Sequence, residues 1–177
     1  MWVRFTVFLR RRWNTNTMEF IINGAKMKEA QIELWDVTDG WKVITTNGSV
    51  NKKGLAVMGR GCALEAAKRF PPFPKSLAML LTKTGNRVYV WEYNNIITFP
   101  VKHKWHEKAD LELIKKSAME LVEVANRWKM EKVYLPRPGC GYGYLDWIVV
   151  KKEIEPILDD RFIAITKPIK LITQRDS

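Results

Sequence analysis

The chain has 177 residues, 46% of them hydrophobic and eight of them Trp, with a formal charge of +11; that length fits one domain with one core. The charge points to a polyanionic partner, either nucleic acid or a phosphorylated ligand, without choosing between them. Two cysteines, Cys62 and Cys140, exclude a disulfide framework, and no uninterrupted apolar run of about 18 residues marks a membrane span.

Residues 1–28 carry six basic side chains against the single acid Glu19. They read as a basic N-terminal extension, with 2–9 suited to an added edge strand and Met18 and Met27 as alternative starts. Its apolar part precedes its charges, the wrong order for a secretory signal. With two cysteines and no disulfide framework, a reducing cytoplasm is the expected compartment. Residues 29–177 form the domain proper.

Regular patterning begins at Gln31. Residues 31–35 alternate as a strand, Asp39-Gly40 is a turn, and 41–46 is a second strand. Gly54, Gly59 and Gly61 predict a loop over 49–61. A helix over 62–70 follows and stops at Pro71-Pro72. Residues 74–81 form a short helix, and 87–91 with 95–99 form two hairpin-joined strands, the second broken by Pro100. The longest helix opens at Ala109-Asp110, with Leu111, Ile114, Ala118, Leu121, Val122 and Ala125 following the 3.6 period.

Residues 132–135 are an apolar run suited to a buried strand. A helix capped by Asp146 runs through Leu158, strand 162–165 follows, and 169–172 forms a last one. Strands alternating with helices imply a three-layer α/β/α domain around a central mixed sheet. The loops that leave strand ends at 49–61, 100–105 and 136–146 belong on one rim, where such sheets bind ligands.

Between strand 132–135 and its helix lies Pro138-Gly139-Cys140-Gly141-Tyr142-Gly143-Tyr144. Alternating glycines tolerate positive φ and leave backbone amides uncovered, as a loop closing over a phosphate requires. The same run also fits a plain tight turn. Lys102 follows a buried strand; beside apolar or cationic neighbours its amine serves as nucleophile or base, and otherwise it contacts phosphate or solvent. His103 and His106 have no carboxylate or cysteine partner at metal spacing.

Five segments in order resemble the macrodomain family: Trp35-Asp36-Val37-Thr38, Ile44-Thr45-Thr46-Asn47, Val57-Met58-Gly59-Arg60-Gly61-Cys62-Ala63-Leu64, Phe99-Pro100-Val101-Lys102, and Leu135-Pro136-Arg137-Pro138-Gly139-Cys140-Gly141 with Leu145-Asp146-Trp147. The resemblance covers about residues 31–165. It is closest to the branch holding the DNA de-ADP-ribosylating antitoxins and the terminal ADP-ribose protein glycohydrolase.

It implies an ADP-ribose cleft. By similarity, Asp36 accepts from the adenine amino group with Val37 beside it, and Asn47 faces the distal ribose. Met58, Gly59, Arg60, Gly61 and Cys62 form the first phosphate-side loop, and Pro138, Gly139, Cys140, Gly141, Tyr142, Gly143 and Tyr144 the second. Lys102 matches the lysine this branch uses at the anomeric carbon of the distal ribose. The implied activity is a hydrolase removing ADP-ribose from a macromolecule, with thymidine-linked DNA favoured. A non-catalytic ADP-ribose reader and a hydrolase of 1''-phosphate or O-acetyl ADP-ribose are the alternatives. No cofactor, metal or membrane is implied, and a monomer is expected.

Two departures bear on this. Gly143 stands where the protein-directed glycohydrolase has an aspartate, which weakens a lysine-plus-aspartate mechanism and tilts the reading toward DNA. Residues 51–55, Asn51-Lys52-Lys53-Gly54-Leu55, are an insert in the first loop whose lysines either contact a nucleic-acid backbone or are simply solvated.

Overall fold

The computed structural model describes Phe5–Thr6 and residues 26–168. Its strands are β1 (Phe5–Thr6), β2 (Lys28–Gln31), β3 (Trp41–Asn47), β4 (Val90–Trp91), β5 (Ile96–Lys102), β6 (Val133–Pro136) and β7 (Phe162–Thr166), and its helices α1 (Gly61–Arg69), α2 (Phe73–Thr84), α3 (Leu111–Arg127) and α4 (Trp147–Ile154). The described strands form one sheet in the order β1-β4-β5-β3-β6-β7-β2. From β5 to β2 every pairing is parallel, while β4 lies antiparallel to β5 and β1 antiparallel to β4. The sheet is therefore mixed, as the sequence predicts.

Side chains alternate across the sheet with period two. Val43, Ile97, Phe99, Val133, Leu135 and Phe162 pack with Ile114, Leu121, Val150 and Ile154 of α3 and α4. Their neighbours Ile44, Ile96, Tyr134 and Ile165 pack on the opposite face with Ala66 of α1 and Phe73 and Leu77 of α2. Strands buried on both faces read as continuous apolar runs, which explains the sequences of β5 and β6. Phe73, Phe99 and Phe162 have no exposed surface, and burying each such side chain contributes about 1.5–3 kcal/mol.

Helix starts follow local chemistry. Asp110 caps α3 by accepting from the amides of Glu112 and Leu113, and Asp146 caps α4 by accepting from Ile148 N at 2.7 Å. Helix α2 ends at Gly85, whose φ of 86° suits glycine.

Four predicted elements differ. The strand expected at 31–35 lies earlier, at β2, and Leu34–Asp36 is a 3-10 turn. The apolar alternation there arises because Leu34 enters the α1/α2 core from a turn. Residues 87–89 lie outside β4: the Tyr89 amide donates to the Thr98 hydroxyl at 2.8 Å and the Val88 amide to the Glu120 carboxylate at 3.0 Å, so neither finds a ladder carbonyl. Pro100 does not break β5: it pairs with Thr46 where the β3 register shifts between Thr46 and Asn47, and the strand continues to Lys102. An irregular ladder tolerates the missing amide. Helix α4 stops at Ile154, and the chain reaches Leu158 through a turn.

In the N-terminal extension, Phe5–Thr6 pairs with β4. Residues 7–25, including Met18, and the strand expected at 169–172 lie outside the described residues.

Candidate functional site

The loops after β3, β5 and β6 open into one cleft of about 1380 Å³. Asn47 at the end of β3, Lys102 at the end of β5 and Pro136 at the end of β6 all line it.

Asn47 holds the first loop from both ends of its amide. Its Nδ2 donates to the Val57 carbonyl at 2.8 Å, and its Oδ1 accepts from Ser49 N at 2.9 Å. The loop then reaches α1. Arg60 occupies the N-cap position without a side-chain capping bond, so the opening amides of α1 have no intrahelical acceptor. Gly61, Cys62 and Ala63 lie on the cleft wall; amides at a helix start attract an anion. The Cys62 sulfur lies 3.2 Å from Thr45 Oγ1, and burial pushes its thiol pKa up.

The second loop is fastened by its own backbone. Leu145 N donates to Gly139 O and Tyr144 N to Gly141 O, both at 3.0 Å, and Ala109 N donates to Gly143 O at 3.1 Å. Gly139 has φ +75°, and a β-carbon there would stand 2.8 Å from Ile114 Cδ1. Tyr144 holds φ 62° although it is not glycine, a conformation costing on the order of 1 kcal/mol.

Lys102 joins the two loops. Its Nζ donates to the Tyr142 carbonyl at 2.6 Å, and the Arg60 guanidinium lies 5.0 Å from the Tyr142 ring centroid. Burial, and then the positive charge of Arg60, hold the Lys102 pKa below its ordinary value. Lowering it makes the neutral amine, a nucleophile or base, more available near neutral pH.

Asn47, Gly59, Arg60, Gly61, Cys62, Lys102, Gly139, Gly141, Tyr142, Gly143 and Tyr144 share the cleft wall. Five other predicted residues do not. Asp36 is exposed at the end of the 3-10 turn, and Val37 and Met58 are buried in the α1/α2 core. The Val37 carbonyl accepts from Lys42 Nζ at 3.1 Å. Pro138 is buried, and Cys140 packs against the α3/α4 core, where burial pushes its thiol pKa up to about 11. The shift of β2 toward the N-terminus moves Ile32, Glu33 and Leu34 onto the wall ahead of Asp36.

Other wall residues escape a sequence reading. Glu65 accepts from Trp35 Nε1 at 2.6 Å and from Lys167 Nζ at 3.1 Å, partners 30 and 102 residues away. Burial raises the Glu65 pKa, but these hydrogen bonds outweigh it and leave it lowered. Trp105 and His106 also line the cleft; Trp105 ends the strand-following loop that the sequence places on this rim, and His106 is the next residue. His103 lies 2.9 Å from the Asp110 carboxylate, an isolated hydrogen-bonded pair.

No family model matches the chain. The macrodomain of Thermus aquaticus DarG superposes with a TM-score of 0.63 at 23% identity, covering 80% of this chain and 98% of that one.

The fold is that of a macrodomain.

The Thermosipho africanus DarTG structure in complex with ADP-ribose matches at TM-score 0.52 and 20% identity, over 84% of this macrodomain chain and 45% of the other. In sequence, the DNA ADP-ribosyl glycohydrolase of Thermus aquaticus is 28% identical over 115 residues, 59% of this chain. The aligned part spans 32% of that relative's length. The macrodomain cleft thus sits at the carboxyl ends of β3, β5 and β6, where an open α/β sheet takes its ligand.

Proposed function

We propose that this macrodomain binds ADP-ribose and hydrolyses its link to a modified macromolecule, with thymidine-linked ADP-ribose on DNA as the favoured substrate. The observation that carries the reading is the 2.6 Å bond from Lys102 Nζ to the Tyr142 carbonyl, which stations an amine between two amide-bearing loops. In this reading, the start of α1 and the second loop bind the pyrophosphate, leaving the distal ribose beside Lys102. The activity named for the Thermus aquaticus relative and the ADP-ribose bound in the Thermosipho africanus structure agree with it.

Hydrolysis breaks the bond between the anomeric carbon and the acceptor atom. Water supplies the new hydroxyl on that carbon, and a proton goes to the departing acceptor. Lys102 as the neutral amine attacks the anomeric carbon first and is itself displaced by water; as the ammonium it stabilises the departing acceptor by its charge. The lowered pKa supports the first route. Gly143 supports a mechanism without a carboxylate at that position, since a β-carbon there would lie 2.7 Å from Ala109 Cβ.

The test is release of ADP-ribose from modified oligonucleotide and from auto-modified protein by wild type and Lys102→Ala. Release from the oligonucleotide by wild type and a loss of at least about 100-fold in the variant are expected. Release from neither substrate defeats the hydrolase reading. Calorimetric binding of ADP-ribose that survives Lys102→Ala without turnover identifies a reader instead.

A further inference from the structure

Trp105, Tyr142 and Tyr144 all line the cleft that holds Lys102, with 60%, 54% and 69% of their surface exposed. Single exposed aromatics are ordinary, but a group of them at the mouth of a site marks an interaction surface. Trp105 is held in place: its amide donates to Ser49 Oγ at 3.1 Å, and its ring meets His106 edge-on at 5.4 Å. The same turn is closed by Glu107, whose carboxylate accepts from Lys104 N at 3.0 Å.

Ser49 also anchors the insert. Its carbonyl accepts from Val57 N at 2.9 Å, and Val50 bridges Ala56, so the insert is a hairpin sharing its base with the Trp105 loop. Asn51 Oδ1 accepts from the amides of Lys53 and Leu55, and Gly54 turns the tip at φ +70°. Lys52 and Lys53 are exposed at that tip, and Lys104 and Lys108 are exposed beside Trp105. Glu107 is the carboxylate among them on the cleft wall.

Stacking faces beside ammonium groups match a strand that carries both bases and phosphates. A duplex keeps its bases paired and stacked inside, and an acidic peptide has no recurring π faces. We infer that Trp105 stacks on an unpaired nucleobase beside the modified nucleotide while the hairpin lysines Lys52 and Lys53 hold the strand's phosphates. The inference rests on the nucleic-acid reading of the substrate given above. It assigns the insert and the Trp105 loop to positioning the strand, outside the ADP-ribose cradle.

The test uses the whole chain and fluorescence anisotropy with unmodified, labelled single-stranded DNA and the matching duplex. Single strand is expected to bind more tightly than duplex. Trp105→Ala is expected to weaken single-strand binding about tenfold or more, with Trp105→Phe recovering most of it. Lys52→Ala with Lys53→Ala is expected to reduce the slope of log affinity against log salt by about 1.4, leaving calorimetric ADP-ribose affinity unchanged. Equal binding by Trp105→Ala and wild type, an unaltered salt slope, tighter binding of duplex, or equal competition by an acidic polypeptide each overturns the inference. Intact strand binding without ADP-ribose release counts against the hydrolase reading and leaves this one standing.

Discussion

A β-carbon added to Gly143 would overlap the carbonyl oxygen of Gly139 and stand 2.8 Å from its carbonyl carbon. The second loop therefore folds back on itself at these two residues, and the absence of a side chain at 143 is part of its shape. Two residues earlier, a β-carbon on Gly141 meets nothing within 4 Å.

Gly143→Ala is accordingly expected to destabilise the domain by about 1–3 kcal/mol and to weaken ADP-ribose binding. Gly141→Ala is expected to stay within about 0.5 kcal/mol of wild type. Urea unfolding and calorimetry on the two variants check both statements.

Asn47→Ala removes both side-chain bonds that hold the first loop. A loss of about 1–3 kcal/mol is expected from the two bonds together, with a fall in ADP-ribose affinity as the loop loosens. Asn47→Asp keeps the acceptor for Ser49 N and loses the donor to Val57. Its second carboxylate oxygen would face the Val57 carbonyl, so it is expected to be no more stable than the alanine variant in the same measurements.

The pH dependence of turnover reports the state of Lys102. If the neutral amine reacts, kcat rises with pH through an inflection below the ordinary lysine value of 10.5. Arg60→Ala removes a charge that depresses the pKa, so the inflection moves toward alkaline pH. A rate that falls as pH rises through that inflection assigns the work to the ammonium.

Asp110 links the Lys102 loop to α3. It caps the helix and accepts from His103 Nε2 at 2.9 Å, and that hydrogen bond is the main cause of its lowered pKa. A carboxyl lowered on folding stabilises fully above its unfolded pKa and loses that stabilisation as pH falls through the folded value. Asp110→Ala is expected to cost about 1 kcal/mol near neutral pH, and Asp110→Asn to flatten the acid limb of the stability profile. Thermal unfolding across the acid range measures both.

Much of this molecule is legible where one segment carries its own cause. Leu111, Ile114, Ala118, Leu121 and Ala125 repeat at helical spacing, and Asp110 supplies the cap. Gly54, Gly59 and Gly61 mark the first loop, and the glycines at 139, 141 and 143 mark the second. The family resemblance of five ordered segments led to the macrodomain fold, which the superposition on Thermus aquaticus DarG shares.

The failures lie where a partner strand or distant side chain decides. Pro100 continues a strand because β3 shifts register opposite it, and residues 87–89 leave the ladder as the amides of Val88 and Tyr89 go to the side chains of Glu120 and Thr98. No local pattern encodes either. Likewise, Glu65 meets Trp35 and Lys167 only after the helix and sheet have docked, and Lys102 meets the Tyr142 carbonyl 40 residues along the chain. Periodicity, capping and glycine conformation are short-range properties, so the sequence by itself determined where the helices begin, the two glycine loops and the alternation of strands with helices. Register, the contents of the cleft wall and the surroundings of the lysine depend on side chains brought together by packing, and only the tertiary structure decided them.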